Sequence, residues 1–164
     1  MNLSRQGRPR MSSAGQGGMA LLVSLVFLLL LTLIGISSMQ SATLQEKMAG
    51  SVTLRNTSFQ TAEAALRMGE NAVQRSNYSL AACVGAVRCA PPPESATLVS
   101  AQTDPTSGVI WVAAGNGFYG VQNIGTSMTA VNLPSNTSAT LYRITAVAIS
   151  GNSRTVLESI YAKY

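Results

Sequence analysis

From position 19 the chain runs for 18 residues, to position 36, without a charged side chain: MALLVSLVFLLLLTLIGI. As a helix this run is about 27 Å long at a rise of about 1.5 Å per residue, enough to cross a bilayer's hydrocarbon core. Ser37 and Ser38 follow at its outer end. The apolar pattern then changes character without a break. Between residues 38 and 75 there is no proline, and Leu44, Met48, Val52, Phe59, Ala62, Leu66, Gly69 and Val73 recur mostly at intervals of three or four. That period predicts one stripe on an amphipathic helix. Glu63, Arg67 and Glu70 stand at spacings that give small ion-pair support on its exposed face. Gly35 and Gly50 weaken the run, each by up to about 1 kcal/mol. Joined end to end, the two stretches predict a single helix over residues 19 to about 76, about 87 Å long. From Phe59 onward its stripe is expected to pack on the chain's own domain. Residues 39–52 have too little domain nearby to cover them and are expected to need partner helices.

The second half of the chain reads as strands. Val109-Ile-Trp-Val112 and Phe118-Tyr-Gly-Val121 flank Gly115-Asn-Gly117, which predicts a hairpin. Residues 139–149 and 155–161 form a second pair across Ser150-Gly-Asn-Ser153, and a polar connection over residues 125–138, with Pro134, separates the two. A long helix whose second half covers an antiparallel sheet is an α+β layer arrangement. Trp111 is expected in the core or on a sheet face. Between helix and sheet, Pro91-Pro92-Pro93 excludes helix and predicts an extended polyproline segment.

Charge sharpens the topology. Of eleven basic residues, Arg5, Arg8 and Arg10 precede the apolar run, and the remaining eight stand against six acids. Arginines beside an apolar span favour the cytoplasmic side, which exports everything after it. Lys47, Arg55, Arg67 and Arg75 are thinly spread among acids, so no nucleic-acid partner is expected. In an exported domain Cys83 and Cys89 are expected to form a disulfide, worth about 2 kcal/mol for so short a loop. With no histidine and no third cysteine a metal site is not expected. The spacing also differs from the Cys-x-x-Cys of a redox enzyme.

Catalytic chemistry is hard to find. There is no histidine, no phosphate-cradling glycine loop and no evident carboxylate pair, so neither an enzyme nor a cofactor is expected. Asp104 and Glu94 fall in loops as solvated turn residues. Asn56, Asn77 and Asn136 match the short glycosylation pattern, which carries little weight here.

The join between leader and apolar run is informative. Gln16-Gly17-Gly18 ends the basic leader, and the apolar run starts at the next residue. A secretory signal is cut after its apolar stretch, near small residues. The alternative is cleavage within residues 37–42, which would make the run an unusually long h-region. A cut after Gly18 keeps the run on the mature protein. This arrangement resembles the class III leader of type IV pilins and pseudopilins. The likeness implies cleavage by a prepilin peptidase between Gly18 and Met19, and methylation of the new Met19 amino terminus. It also implies a helix that first anchors in the inner membrane and later packs in a filament core.

The segment GISSMQSATLQEKMAG at 35–50, then Arg55-Asn56 and FQTAEAALR at 59–67, looks like the N-terminal region of PilX-type minor pilins. Tyr142-Arg-Ile-Thr145 with Val156-Leu-Glu-Ser-Ile-Tyr161 is similar to that group's closing hairpin. The resemblance implies a low-abundance subunit of a type IV pilus, working with other minor pilins, the major pilin and the inner-membrane assembly machinery. Adhesion, aggregation or twitching motility would depend on it. Leader 1–18, membrane and filament-core helix 19–38, amphipathic continuation 39–76 and exported β-rich domain 77–164 are the expected divisions. Leu44, Met48 and Val52 are the expected contacts with partner pilins.

One position departs from most pilins, which carry glutamate as the fifth mature residue. Here it is Val23, and no acid lies anywhere in the membrane run. A carboxylate in lipid is costly unless paired, so its absence eases retention in the bilayer and removes a docking contact for Met19. The same lack is typical of PilX-type pilins and of the K-type pseudopilins of type II secretion, and implies an initiating or tip-proximal place. Two alternatives stand beside this: a K-type-like pseudopilin, whose usual inserted helical domain the short middle lacks, and a secreted or anchored binding domain with no filament role.

Overall fold

The structure is a computed structural model that describes residues 17–131, 134 and 136–164. The arginines of the leader, Arg5, Arg8 and Arg10, lie outside the described residues, as do three positions of the connection before the third strand. By its contacts the chain divides after Lys47 into two units.

The helix α1 spans Gly17–Gln74. In the first unit its side chains stand exposed throughout. Ser24 and Thr32 donate their hydroxyls to Leu21 O and Leu29 O at 2.9 and 2.8 Å. Both polar groups of the apolar run are thereby satisfied inside the helix, as a lipid environment requires.

The second unit, residues 48–164, is built on a four-stranded antiparallel sheet of β1 (Trp111–Ala114), β2 (Gly117–Ser127), β3 (Ala139–Ser150) and β4 (Ser153–Lys163), in that order across the sheet. Both tight hairpins use a Gly-Asn turn. Gly115 joins the pair Ala114–Gly117 with φ 58°, and Gly151 joins Ser150–Ser153 with φ 54°. Positive φ at the first central residue is what a type II′ turn requires, and glycine supplies it without a steric cost. The predicted hairpins therefore form where the turn chemistry placed them. β2 runs to Ser127, three residues into the expected connection, with an irregularity between Asn123 and Gly125. Gly125 accommodates it with φ 105°.

The second half of α1 covers one face of this sheet. The buried stripe is Ser58, Ala62, Ala65, Gly69 and Val73, set against Tyr119, Tyr142, Ile144 and Ala146. The apolar period placed Phe59 and Leu66 in that stripe. Phe59 is instead 49% exposed, Leu66 is half-buried, and Ser58 and Ala65 are the fully buried residues. The reason is local. Ser58 Oγ lies 3.0 Å from Ser153 Oγ and 2.8 Å from Thr155 Oγ1 and donates to Arg55 O, so a hydroxyl is buried at no unsatisfied cost. Close approach also demands small side chains. A Cβ on Gly69 would stand 2.6 Å from Ile144 Cγ2 and 3.0 Å from Tyr119. Glu63 pairs with Arg67 as the spacing predicts. Glu70 does not take part; it accepts from Ser159 Oγ of β4 at 2.7 Å and ties helix to sheet. Just past the end of the helix Arg75 O accepts from Tyr78 N–H, and Lys163 Nζ of β4 donates to Arg75 O and Tyr78 O, tying this turn to the sheet.

Residues 75–110 cover the other face. Leu98 and Val109 bury against Trp111, Val147 and Phe118. β3, covered on both sides, accordingly reads as a nearly continuous apolar run from Ile144 to Ile149. In place of an unbroken extended segment, a short helix α2 (Ala86–Cys89) precedes the prolines, and a 3₁₀ turn, Pro93–Ala96, starts on the third one. Ala90 and Pro92 keep extended backbone. Proline is disfavoured within a helix and favoured at its first position, where no N–H is needed, so the last proline of the run opens the turn.

These contacts give two glycines of one helix opposite sensitivities. Gly69→Val is expected to cost about 2 kcal/mol or more by overpacking against Ile144. Gly50→Ala, with nothing within 4 Å of the new methyl, is expected to gain about 1 kcal/mol of helix propensity. Urea unfolding of the full chain in detergent, followed by fluorescence of the single, buried Trp111, measures both.

Candidate interaction surfaces

Among the described residues the exposed large apolar side chains are concentrated on α1. Residues 19–36 form a helix long and apolar enough to cross a membrane, without a buried side chain. Beyond them Met39 is 74% exposed, Leu44 66%, Met48 71% and Val52 52%. Exposed apolar area of this extent marks a contact surface for lipid or protein. Residue 23, where most pilins carry an acid, is Val23, exposed on this surface with no charged neighbour until Glu46. Met19 stands in the first turns of α1, directly after Gly18. Of the residues expected to touch partners, Leu44 belongs to the first unit and Met48 and Val52 to the second; all three are uncovered.

The disulfide joins Cys83 and Cys89, with Cα atoms 5.3 Å apart. It closes a loop whose backbone is held on the sheet by two side chains. Gln122 Nε2 donates to Arg88 O at 2.8 Å and Ala90 O at 3.0 Å, and Arg143 Nη1 donates to Cys89 O at 2.7 Å. Arg143 Nε also meets Glu158 at 3.2 Å, so this cation is shared between the loop and β4. Val84 and Val87 project from the loop, 81% and 61% exposed. Between the loop and the start of β1 lies a cavity of about 410 Å³ lined by Leu80, Val109, Ile110 and Val121, among others.

The two acids read as solvated turn residues behave differently from each other. Asp104 Oδ1 accepts from Ser107 N–H at 2.9 Å and Thr106 N–H at 2.8 Å, and these bonds, the first above all, lower its pKa from the ordinary carboxylate value. Glu94 is drawn inward. Its Oε1 accepts from Ser107 Oγ at 2.5 Å and Trp111 Nε1 at 3.2 Å, so it serves the buried indole as an acceptor. Nothing local in the sequence signals that role; the partner lies 17 residues away. Burial, then the neighbouring Tyr142 and Tyr119, raises the Tyr78 pKa, and this phenol packs edge-on to Tyr142 at 5.6 Å. Among the described residues no group of three His, Cys, Asp or Glu side chains is placed to hold a metal.

A long helix with an apolar run, whose second half packs on a four-stranded antiparallel sheet, is an α+β, pilin-like arrangement. Residues 17–67, about a third of the chain, match the family model of the PilX N-terminal domain. No curated protein and no solved structure matches the chain.

Replacing both cysteines by serine is expected to lower the stability of the second unit by about 2 kcal/mol. The same urea titration, run on the oxidised chain and on the double variant, reads the difference.

Proposed function

We propose that this chain is a minor pilin of a type IV pilus that helps to start assembly and sits at or near the filament tip. The carrying observation is the uncovered apolar surface that continues past the membrane run, through Met39, Leu44, Met48 and Val52, in a segment that matches the PilX N-terminal family. A membrane anchor alone needs about 20 apolar residues. The further apolar stretch has a use only where other helices pack on it.

In this reading prepilin peptidase cuts between Gly18 and Met19, and Met19 is methylated. Residues 19–38 hold the subunit in the inner membrane with the leader in the cytoplasm and residues 77–164 outside. During assembly the same helix exchanges lipid for the helices of other minor pilins and the major pilin, and its continuation over 39–76 carries the domain. The domain supports adhesion, aggregation or twitching motility from the cell surface. Val23 fits a subunit with none ahead of it: an acid there serves to receive the amino terminus of a neighbour, and valine removes an otherwise unpaired charge from lipid. The function is one of packing and presentation, with no catalytic step.

Mass spectrometry of the mature amino terminus, from membranes and from sheared filaments, tests the reading. A methylated terminus at Met19 in the filament fraction is expected; a terminus within residues 37–42 would sink it. Val23→Glu tests the place in the filament. The substitution is expected to weaken association with the other minor pilins and reduce piliation, and unchanged piliation would show the missing acid to be incidental.

A further inference from the structure

On its β1 side, β2 loses its partner for two residues. Trp111 opens β1 opposite Gly120, and the next residue bridged on that side is Asn123, which meets Ala82. Val121 and Gln122 border the resulting gap in the sheet, and both line the cavity of about 410 Å³ between the disulfide loop and β1. Alternation along β2 gives this cavity two ends. Tyr119 and Val121 pack toward α1, against the clusters around Ala65 and Val73, and Tyr78 joins them there. Gln122 points to the opposite face, where it holds Arg88 O and Ala90 O. The Arg88 guanidinium lies at this second end, its carbon 3.8 Å from where a Cβ on Gly108 would stand. Between the ends Leu80, Val109, Ile110 and Val112 form apolar walls, with Ile110 59% and Val112 40% exposed beside the gap.

The charge left free in the lining has one sign. The Arg88 guanidinium has no hydrogen bond or ion pair among the described residues. The acids of the adjoining turns are held by other donors, Asp104 by Thr106 and Ser107 N–H, Glu94 by Ser107 Oγ and Trp111 Nε1. The Gln122 and Asn123 amides are bonded to backbone carbonyls. We propose that this cavity binds a small apolar monocarboxylate, with its carboxylate at Arg88 and its apolar body in the sheet gap between Ile110 and Val121. Apolar walls of this extent with few placed polar groups are the usual form of a small-molecule site. A neutral apolar molecule gains only contact with the walls, and a cationic one is repelled by Arg88. A carboxylate gains the walls and also the forked donors of the guanidinium. The Cys83–Cys89 bridge closes the loop that carries Arg88, and Cys83 itself lines the cavity, so the disulfide holds the head-group contact in place. The site is made entirely from residues 78–123 and does not depend on a filament role.

Methyl NMR titration of the full chain in detergent tests the site, with affinity read at the Ile110 methyl group. The probes are 2-naphthoate and octanoate, each compared with its neutral alcohol. The acids are expected to shift Ile110 and Val121 and to bind about tenfold more tightly than the alcohols. The tighter of the two acids tells whether the ligand is aromatic or aliphatic. Arg88→Gln is expected to bring each acid down to the level of its alcohol while leaving the alcohol unchanged, and Arg88→Lys to retain part of the difference. An unchanged urea midpoint in R88Q establishes that the fold is intact. The proposal is overturned by equal binding of acid and alcohol, or by acid binding insensitive to R88Q. Shifts confined to residues 19–36, where detergent gathers, or no shift at millimolar acid would overturn it equally.

Discussion

The close approach of α1 to the sheet governs the rest of the globular unit. Ala62, Ala65 and Gly69 present almost no side chain, and Ile144 and the Tyr119 ring fill the space so vacated. Contact at this range makes dispersion collectively strong and leaves no room for a void. It also fixes which face of the helix can carry large residues. Phe59 and Met68, each 49% exposed, are turned outward by the same geometry that buries their small neighbours. The polar ties at the margins, Ser58 with Thr155, Glu70 with Ser159 and Lys163 with the helix end, hold the register of a face that is otherwise smooth.

Sequence pattern foretold most of this architecture because its signals are local. The uninterrupted apolar run, the proline-free stretch after it and two Gly-Asn turns between β-branched runs each act within a few residues. They place α1 to within about two residues at each end and both hairpin turns where they form, while β1 is shifted by two residues and β2 runs on to Ser127. The cysteine pair was equally plain, since a short loop in an exported domain leaves few alternatives.

What the pattern missed depended on partners distant in the chain. A scale that counts serine as polar cannot foresee Ser153 and Thr155 waiting for Ser58, so it moved the buried face one residue along. Glu94 looked solvated because Trp111 and Ser107, which draw it inward, are 17 and 13 residues away. The proline run concealed a helical turn because only its last member has a backbone that can start one. Gln122 and Arg143, which hold the disulfide loop on the sheet, look like ordinary strand residues of an exposed face. The expected partner contacts at Leu44, Met48 and Val52 rest on an argument of supply, too much apolar surface for too little domain; all three side chains are exposed.

The inward-turned hydroxyls of Ser24 and Thr32 carry a further consequence. Because each is already bonded to its own backbone, the outside of this helix offers every surrounding medium the same hydrocarbon skin. Moving it from one oily environment to another breaks no hydrogen bond and leaves none to be remade.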